Sequence, residues 1–412
     1  MRCSIITIGD EILIGQTIDT NSAWLGERLN ALGLVMVSIL TIQDEPKQII
    51  RALNGVGEDI DLVIITGGLG PTNDDLTKQT LTKYFSSKLV MNDEILQRIV
   101  NFFADRGLPM LEVNRQQAML PDKAKILSNN YGSAAGMWFE KNKTVFISLP
   151  GVPFEMKGIM NDFGFDNIKA HFNLPFIYNR TVLTWGTAES FLADKLSDWE
   201  QRLRNSGLKL AYLPSPGMVK LRITGAGESN GVRALVDKYA DEVYHLLQGK
   251  VFGEGRDTME KKVGELLKNK KLTLSTAESC TGGYLAHLLT SIPGSSEYYK
   301  GTIVSYSNNI KTSMLHVNAS DIEKQGAVSE EVVKQMAQNI REKMNTDYGI
   351  ATSGIAGPDG GTEEKPVGTV WVAISSDART KTKLLHLGKH RLNNIRMASM
   401  WALGMLMKEI NN

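Results

Sequence analysis

"DLVIITGGLGPTNDDLTKQTLTKYF" (residues 61–85) decides how the first part of the chain folds. It opens as an apolar run of strand length, passes through a glycine turn, and ends in a helical pattern that begins at Asn73, Asp74 and Asp75. A short apolar run that leads through glycines into a helix is the repeating unit of a parallel sheet covered on both faces. Runs of the same kind stand at "CSIITIG" (3–9), "VMVSILTI" (35–42) and "KTVFISLPG" (143–151). Helical patterns lie between them, such as "NSAWLGERLNALG" (21–33), with Asn21 as predicted N-cap and Gly33 as predicted C-cap. The expectation for residues 1–168 is a doubly wound, three-layer α/β/α domain.

The pattern then changes. "NRTVLTWG" (179–186) reads as a strand and "AESFLADKLSDWEQRLRN" (188–205) as one helix. A hairpin is predicted around Pro216 and Gly217, and "GVRALVDKYADEVYHLLQ" (231–248) is amphipathic. Residues 169–252 thus form a small central α+β module of KH-like order. It lacks a GxxG loop between helices, the device that clamps a nucleic-acid backbone, so a spacer or dimer-forming role is expected. "GEGRDT" (253–258) reads as a linker. Beyond it, strands and helices alternate again, so residues 253–412 are expected to form a second α/β/α domain.

The chain has 412 residues with 46 basic and 45 acidic side chains, a net charge of +1, so no overall field favours nucleic acid or a membrane surface. Cys3 and Cys280 are the only cysteines and share no metal-ligand spacing, which suits a reducing cytoplasm. The opening "MRCSIITIGDEILIG" breaks its apolar run at Asp10 and Glu11 and reads as a buried strand, not a signal peptide. No apolar run approaches the ~20 residues that span a bilayer.

Loops that follow parallel strands converge at one sheet edge. Three of them carry candidate chemistry in the first domain. Gly67, Gly68 and Gly70 allow close approach of the backbone to a ligand, and the following helix start favours anions. Asp74 and Asp75 either cap that helix or bind a divalent cation that bridges to phosphate. "IGDEILIGQTIDTN" (8–21) adds Gly9, Asp10, Glu11, Asp19 and Asn21, and "LPGVPFEM" (149–156) adds Pro150, Gly151 and Glu155. These stretches, with "NRQQAMLPDKAKILSNNYGSAAGMWFE" (114–140), resemble the N-terminal domain of CinA (competence/damage-inducible) proteins, related to the MoaB/MogA molybdopterin-binding fold. The resemblance implies either pterin binding or hydrolysis of ADP-ribose to AMP and ribose 5-phosphate with a divalent metal (Mg, Co or Mn). Nucleotide contacts then fall on Gly9, Asn21, Thr66, Gly67, Gly68, Gly70, Pro71, Gly132, Ser133, Pro150 and Gly151, and metal ligands on Asp10, Glu11, Asp74 and Asp75.

In the second α/β part, "STAESCTGGYLAHLL" (275–289) sets Ser279, Cys280 and Thr281 side by side where a strand gives way to a helix. A nucleophile there benefits from the positive helix end, and the N–H groups of Thr281, Gly282 and Gly283 are candidate oxyanion donors. Cys280 would need a histidine base, and His287, His316, His386 and His390 follow no predicted strand edge, so packing is its expected role. Ser279 can use a lysine whose pKa is depressed. "GTIVSYSNNIKTSML" (301–315) supplies Lys311, with Tyr306 and Asn308 beside it. "IATSGIAGPDGGTEEKPVGTV" (350–370) adds Ser353, Gly354 and Gly357, and the last helix adds Arg391 and Arg396, either of which can pair with a phosphate.

These motifs resemble the CinA C-terminal domain, which also occurs alone as a nicotinamide mononucleotide (NMN) deamidase. That resemblance implies hydrolysis of the NMN carboxamide by Ser279 and Lys311 assisted by Tyr306, with no cofactor. Glu278, Thr281, Gly282, Gly283, Asn308, Ser353, Gly354, Gly357 and Arg391 or Arg396 would surround the substrate. The whole-chain expectation is a cytoplasmic, homodimeric hydrolase of NMN and ADP-ribose, with no nucleic-acid or membrane partner. Two alternatives stand beside it. The first domain can be a pterin- or nucleotide-binding module without catalysis, or the chain can be a competence-related interaction protein.

Overall fold

The computed structural model describes residues 1–70, 76–172, 174 and 176–411. The chain folds as two compact units, one of residues 1–178 with 226–229, the other of 179–225 with 230–412.

The first unit is built on a six-stranded sheet. Its strands are β1 (Arg2–Ile8), β2 (Val35–Ile42), β3 (Leu62–Thr66), β6 (Lys125–Leu127), β7 (Gly136–Lys141) and β8 (Thr144–Leu149), in the spatial order β2-β1-β3-β8-β7-β6. The short strands β4 (Leu89–Met91) and β5 (Met119–Pro121) pair separately. β2, β1, β3 and β8 run parallel, β7 is antiparallel to β8, and β6 is in turn antiparallel to β7. Alternate side chains of the inner strands enter opposite cores, as the two-residue strand period requires. Cys3, Ile5, Leu62 and Ile64 pack on the helix Thr20–Ala31, through Leu25 and Leu29. Ile6, Ile8, Val63 and Ile65 pack on Ile49, Leu81 and Ile95 of three other helices. The expected three layers are present. The cap of Thr20–Ala31 differs from expectation: Asp19 accepts from the Ser22 N–H, which frees Asn21, one residue inside the helix, for another role.

The second unit holds two sheets. The module sheet has the order β10-β11-β9-β12, from β9 (Phe176–Trp185), β10 (Lys209–Ser215), β11 (Met218–Gly227) and β12 (Val251–Glu254). The hairpin at Pro216 and Gly217 forms as expected. Two details depart from the sequence reading. The helix over 188–205 is two helices, Glu189–Lys195 and Ser197–Asn205, which meet at Leu196. The 253–258 linker begins inside β12, a strand that pairs antiparallel with β9. The last sheet has the order β14-β13-β15-β16-β17, from β13 (Leu274–Glu278), β14 (Tyr299–Val304), β15 (Tyr348–Gly354), β16 (Thr369–Ser375) and β17 (Thr380–His386). Helices Met259–Lys270, Tyr284–Thr290 and Arg391–Ile410 cover one face, and Asn308–Leu315 and Glu330–Lys343 the other. β13 lies between β14 and β15 and is parallel to both, so its C-terminal end opens beside theirs. Among the described residues, no helix is long and apolar enough to cross a membrane.

Candidate functional site

β13 delivers Glu278 and Ser279 to the edge where β14 delivers Ser305 and Tyr306. Register fixes this meeting, because Glu278 lies opposite both Val304 and Thr352. The Ser305 N–H donates to the Glu278 carbonyl at 2.7 Å, and the Ser279 N–H to the Thr352 carbonyl at 2.9 Å. The chain then turns into the helix Asn308–Leu315, capped by the Ser307 side chain, and Lys311 falls one turn in, facing back to the edge. Its Nζ lies 3.0 Å from Ser279 Oγ and 2.7 Å from the Ser305 carbonyl oxygen. Lys311 is 1% exposed. Burial holds its ammonium below the ordinary lysine range. The pair therefore has the composition of a serine nucleophile with a lysine base.

The two neighbouring candidates are otherwise engaged. The Cys280 thiol is buried, and that burial pushes its pKa up to about 12, so the thiolate is scarce. Thr281 Oγ1 donates to Glu278 and lies 2.7 Å from Thr352 Oγ1.

Glu278 takes a different place from the substrate contact expected of it. It is fully buried, and its carboxylate accepts from Thr281 Oγ1 and the N–H groups of Gly283, Leu285 and Ala286. It caps the helix Tyr284–Thr290 from below, and in doing so fixes the turn that carries Ser279. Glu278→Ala removes the acceptor of four donors, three of them buried, and is expected to cost at least about 3 kcal/mol of stability. Urea unfolding measures this, and a loss under about 1 kcal/mol would contradict it.

The oxyanion donors shift for the same reason. The Gly283 N–H serves Glu278, and the Gly282 N–H donates to the Ser279 carbonyl at 3.1 Å. Among the described residues, the N–H groups of Cys280 and Thr281 donate to no other residue, which leaves this pair for a developing oxyanion.

Tyr306 is 62% exposed and is not hydrogen-bonded to Ser279 or Lys311. Its hydroxyl accepts from Arg391 Nη2 at 2.7 Å, while Arg391 Nη1 donates to the Gly357 carbonyl at 2.6 Å. Arg391 thus joins the loop after β15 to the segment after β14. Arg396 lies five residues on, about 140° round the helix, and is exposed. Ser353 is buried and donates to the Ala327 carbonyl at 2.7 Å, and Gly354 packs on Val370, so both shape the edge from behind. Asn308 stands exposed at the start of its helix. Sequence reasoning missed Ser305, whose contribution is a carbonyl and leaves no side-chain signature. It also missed Asn394, buried, whose amide donates to the carbonyls of Ala356 and Gly388.

The first unit carries a second candidate site. A cavity of about 470 Å³ is lined by Glu11, Asp19, Asn21, Gly68, Gly70, Ser133, Pro150, Gly151 and Glu155, among others. Gly67 (φ 117°) lies behind it, where a Cβ would strike the Ile8 carbonyl. Asn21 donates to Thr66 Oγ1 at 3.1 Å and to the Gly151 carbonyl at 2.7 Å, which ties three loops together, and among the described residues its buried Oδ1 has no partner. Gly132 lies against the Glu155 carboxylate, whose pKa burial raises. Asn129, unforeseen, shapes this wall: its Oδ1 accepts from the Tyr131 and Gly132 N–H groups. Gly9 and Asp10 begin the short helix Asp10–Leu13, with Asp10 exposed. Pro71, Asp74 and Asp75 lie outside the described residues. Among the described residues no three acidic, His or Cys side chains converge on a metal position. Asp19 is already engaged by the Ser22 N–H and Thr7 Oγ1.

Three family descriptions match the chain in succession. They are a probable molybdopterin binding domain over residues 4–170, the KH domain of the damage-inducible protein CinA over 179–253, and the CinA C-terminal domain over 256–410. A CinA-like protein of Cytophaga hutchinsonii is 48% identical over 407 residues, which cover 98% of this chain and 97% of that one. A CinA-like protein of Flavobacterium psychrophilum is 42% identical over 413 residues, covering 100% and 99%. Among solved structures, the competence/damage inducible protein CihA from Agrobacterium tumefaciens is 34% identical and covers 37% of this chain and 94% of its own, with a TM-score of 0.37.

Proposed function

The chain belongs to the CinA family of competence/damage-inducible proteins, and on that premise we propose that its C-terminal domain deamidates NMN to nicotinic acid mononucleotide and ammonia. The observation that carries this reading is the buried Lys311 amine 3.0 Å from Ser279 Oγ. Neutral Lys311 accepts the Ser279 proton as Oγ attacks the carboxamide carbon. The Ser305 carbonyl takes one Nζ–H, which aims the nitrogen lone pair at Oγ. The negative oxygen of the tetrahedral intermediate lies on the N–H groups of Cys280 and Thr281. Lys311 then passes its proton to the amide nitrogen, the C–N bond breaks and ammonia leaves. Water, deprotonated by Lys311, attacks the acyl carbon, and Ser279 recovers its proton as the carboxylate departs. Arg391 stands at the rim for the substrate phosphate, and Tyr306 acts on that phosphate side through Arg391.

The direct test is an ammonia assay on NMN with the full chain. Its pH dependence has a definite sign. Lys311 works when neutral and burial lowers its pKa, so kcat/KM is expected to rise with pH and level off below the ordinary lysine value of 10.5. A rate that falls across neutral pH would count against a lysine base.

For the first unit, the cavity of about 470 Å³, lined by Gly68, Gly70 and Gly151, supports a nucleotide-sized ligand whose phosphates lie against these glycines. ADP-ribose hydrolysis in the presence of Mg, Co or Mn is the reading for this site. A metal would supply charge neutralisation at the pyrophosphate, and Glu11 is the proposed ligand that lines the cavity. Incubation of ADP-ribose with each metal, with and without chelator, is expected to give AMP in the metal arms only. No AMP with any metal would leave this unit as a binding module.

A further inference from the structure

A third cavity, of about 630 Å³, lies in the second unit where the module meets the C-terminal domain. Trp185 at the end of β9 and Lys250 before β12 form one wall. Lys383 of β17, with Trp401 and Lys408 of the helix Arg391–Ile410, form the other. None of these residues belongs to the Ser279–Lys311 site.

Its charge is unbalanced. Glu409, which also lines it, is committed to Arg379 at 2.7 Å and Lys381 at 2.6 Å. Among the described residues, Lys250, Lys383 and Lys408 pair with no carboxylate. Burial and the neighbouring Lys408, Lys383 and Lys195 hold the Lys250 ammonium below its ordinary pKa. Three unneutralised ammonium groups around one concavity repel each other and any cation, and favour a multiply charged anion.

Its aromatic lining adds a second requirement. Trp185 and Trp401 meet edge to face with centroids 5.6 Å apart, and Trp401 is partly open. Lys250 and Lys383 stand 5.6 and 5.8 Å from the Trp185 and Trp401 centroids. Trp185 is 4% exposed and backs Trp401, which is the ring left open to the cavity. An inorganic anion would use the lysines and leave that ring idle. An anion that carries a flat heterocycle uses both.

We propose that this cavity binds a nucleoside diphosphate, its phosphates held by Lys250, Lys383 and Lys408 and its base laid on Trp401. The volume suits a ligand of that size. Its lining residues are shared neither with the first-unit cavity nor with the Ser279–Lys311 site, and the proposal does not depend on what either of those sites does.

The test is photolabelling of the full-length protein with 8-azido-ADP, with the labelled peptides mapped by mass spectrometry. Label is expected within 183–187, 248–250, 381–383 or 401–408, to be displaced by ADP, and to fall at least about fivefold in the Lys383→Gln/Lys408→Gln double variant. Both substituted lysines are exposed, so the fold is expected to survive. Trp401→Leu is the second variant and should weaken ADP competition without changing competition by pyrophosphate. Label absent from these segments, or undiminished in the double variant, overturns the proposal. Adenosine competing as well as ADP overturns the phosphate grip, and pyrophosphate competing as well as ADP overturns recognition of the base.

Discussion

Replacement of Ser279 by alanine is expected to lower kcat for NMN deamidation by at least about 10³-fold, because binding and oxyanion contacts alone recover little of the lost nucleophile. Release of AMP from ADP-ribose should stay as in the parent protein, since Ser279 lies in the other compact unit. Cys280→Ala is the matched control. With its thiol pushed up to about 12 by burial, Cys280 contributes packing, and its loss should change the rate by no more than about threefold. A coupled ammonia assay on the two variants decides the matter. Full rate in Ser279→Ala with loss in Cys280→Ala would overturn the serine assignment.

The second large effect concerns Lys311. Lys311→Met keeps the length of the lysine stem as far as Cε and removes the amine, so deamidation should fall by a similar factor of at least about 10³. The same variant reports on stability. In the parent the folded state holds the Lys311 pKa below 10.5, so between that lowered value and 10.5 the unfolded chain binds more protons. Parental stability must therefore rise with pH through that window, while Lys311→Met lacks this contribution. The stability of the parent relative to Lys311→Met should increase as pH is raised from neutrality towards 10.5, measured by urea unfolding at several pH values. A gap independent of pH would mean that Lys311 titrates normally in the folded protein.

The layered α/β architecture was legible because strands such as Leu62–Thr66 are short apolar runs that end in glycine, a pattern that survives any packing. The partnership of Ser279 and Lys311 was legible too, from two strand-end motifs and a family resemblance. The depth of Lys311 was not. A lysine on a helix counts as surface in any periodic reading, and only the parallel pairing of β13 with β14 shows that this one points inward. Glu278 was misread for a related reason. An acid at a strand end looks like a substrate contact until the main chain is traced around it and its four donors appear. Asp19 replaced Asn21 as the helix cap because both residue types cap well, and the choice fell to the loop that needed Asn21 to reach Thr66 and Gly151. β12 is four residues long and too brief to be seen beside a glycine-rich linker.

The helix Arg391–Ile410 has a consequence of its own. Arg391 and Asn394 grip the loop at Ala356–Gly357 near its start, and Trp401 and Lys408 face the basic cavity further along. A helix of 20 residues is stiff over its ~30 Å, so its two ends shift together, like a shaft between two bearings. Linkage then makes the traffic two-way. Any ligand that holds the far end better in one setting of the shaft must change the affinity for whatever binds at the near end, and that second ligand must return the same factor.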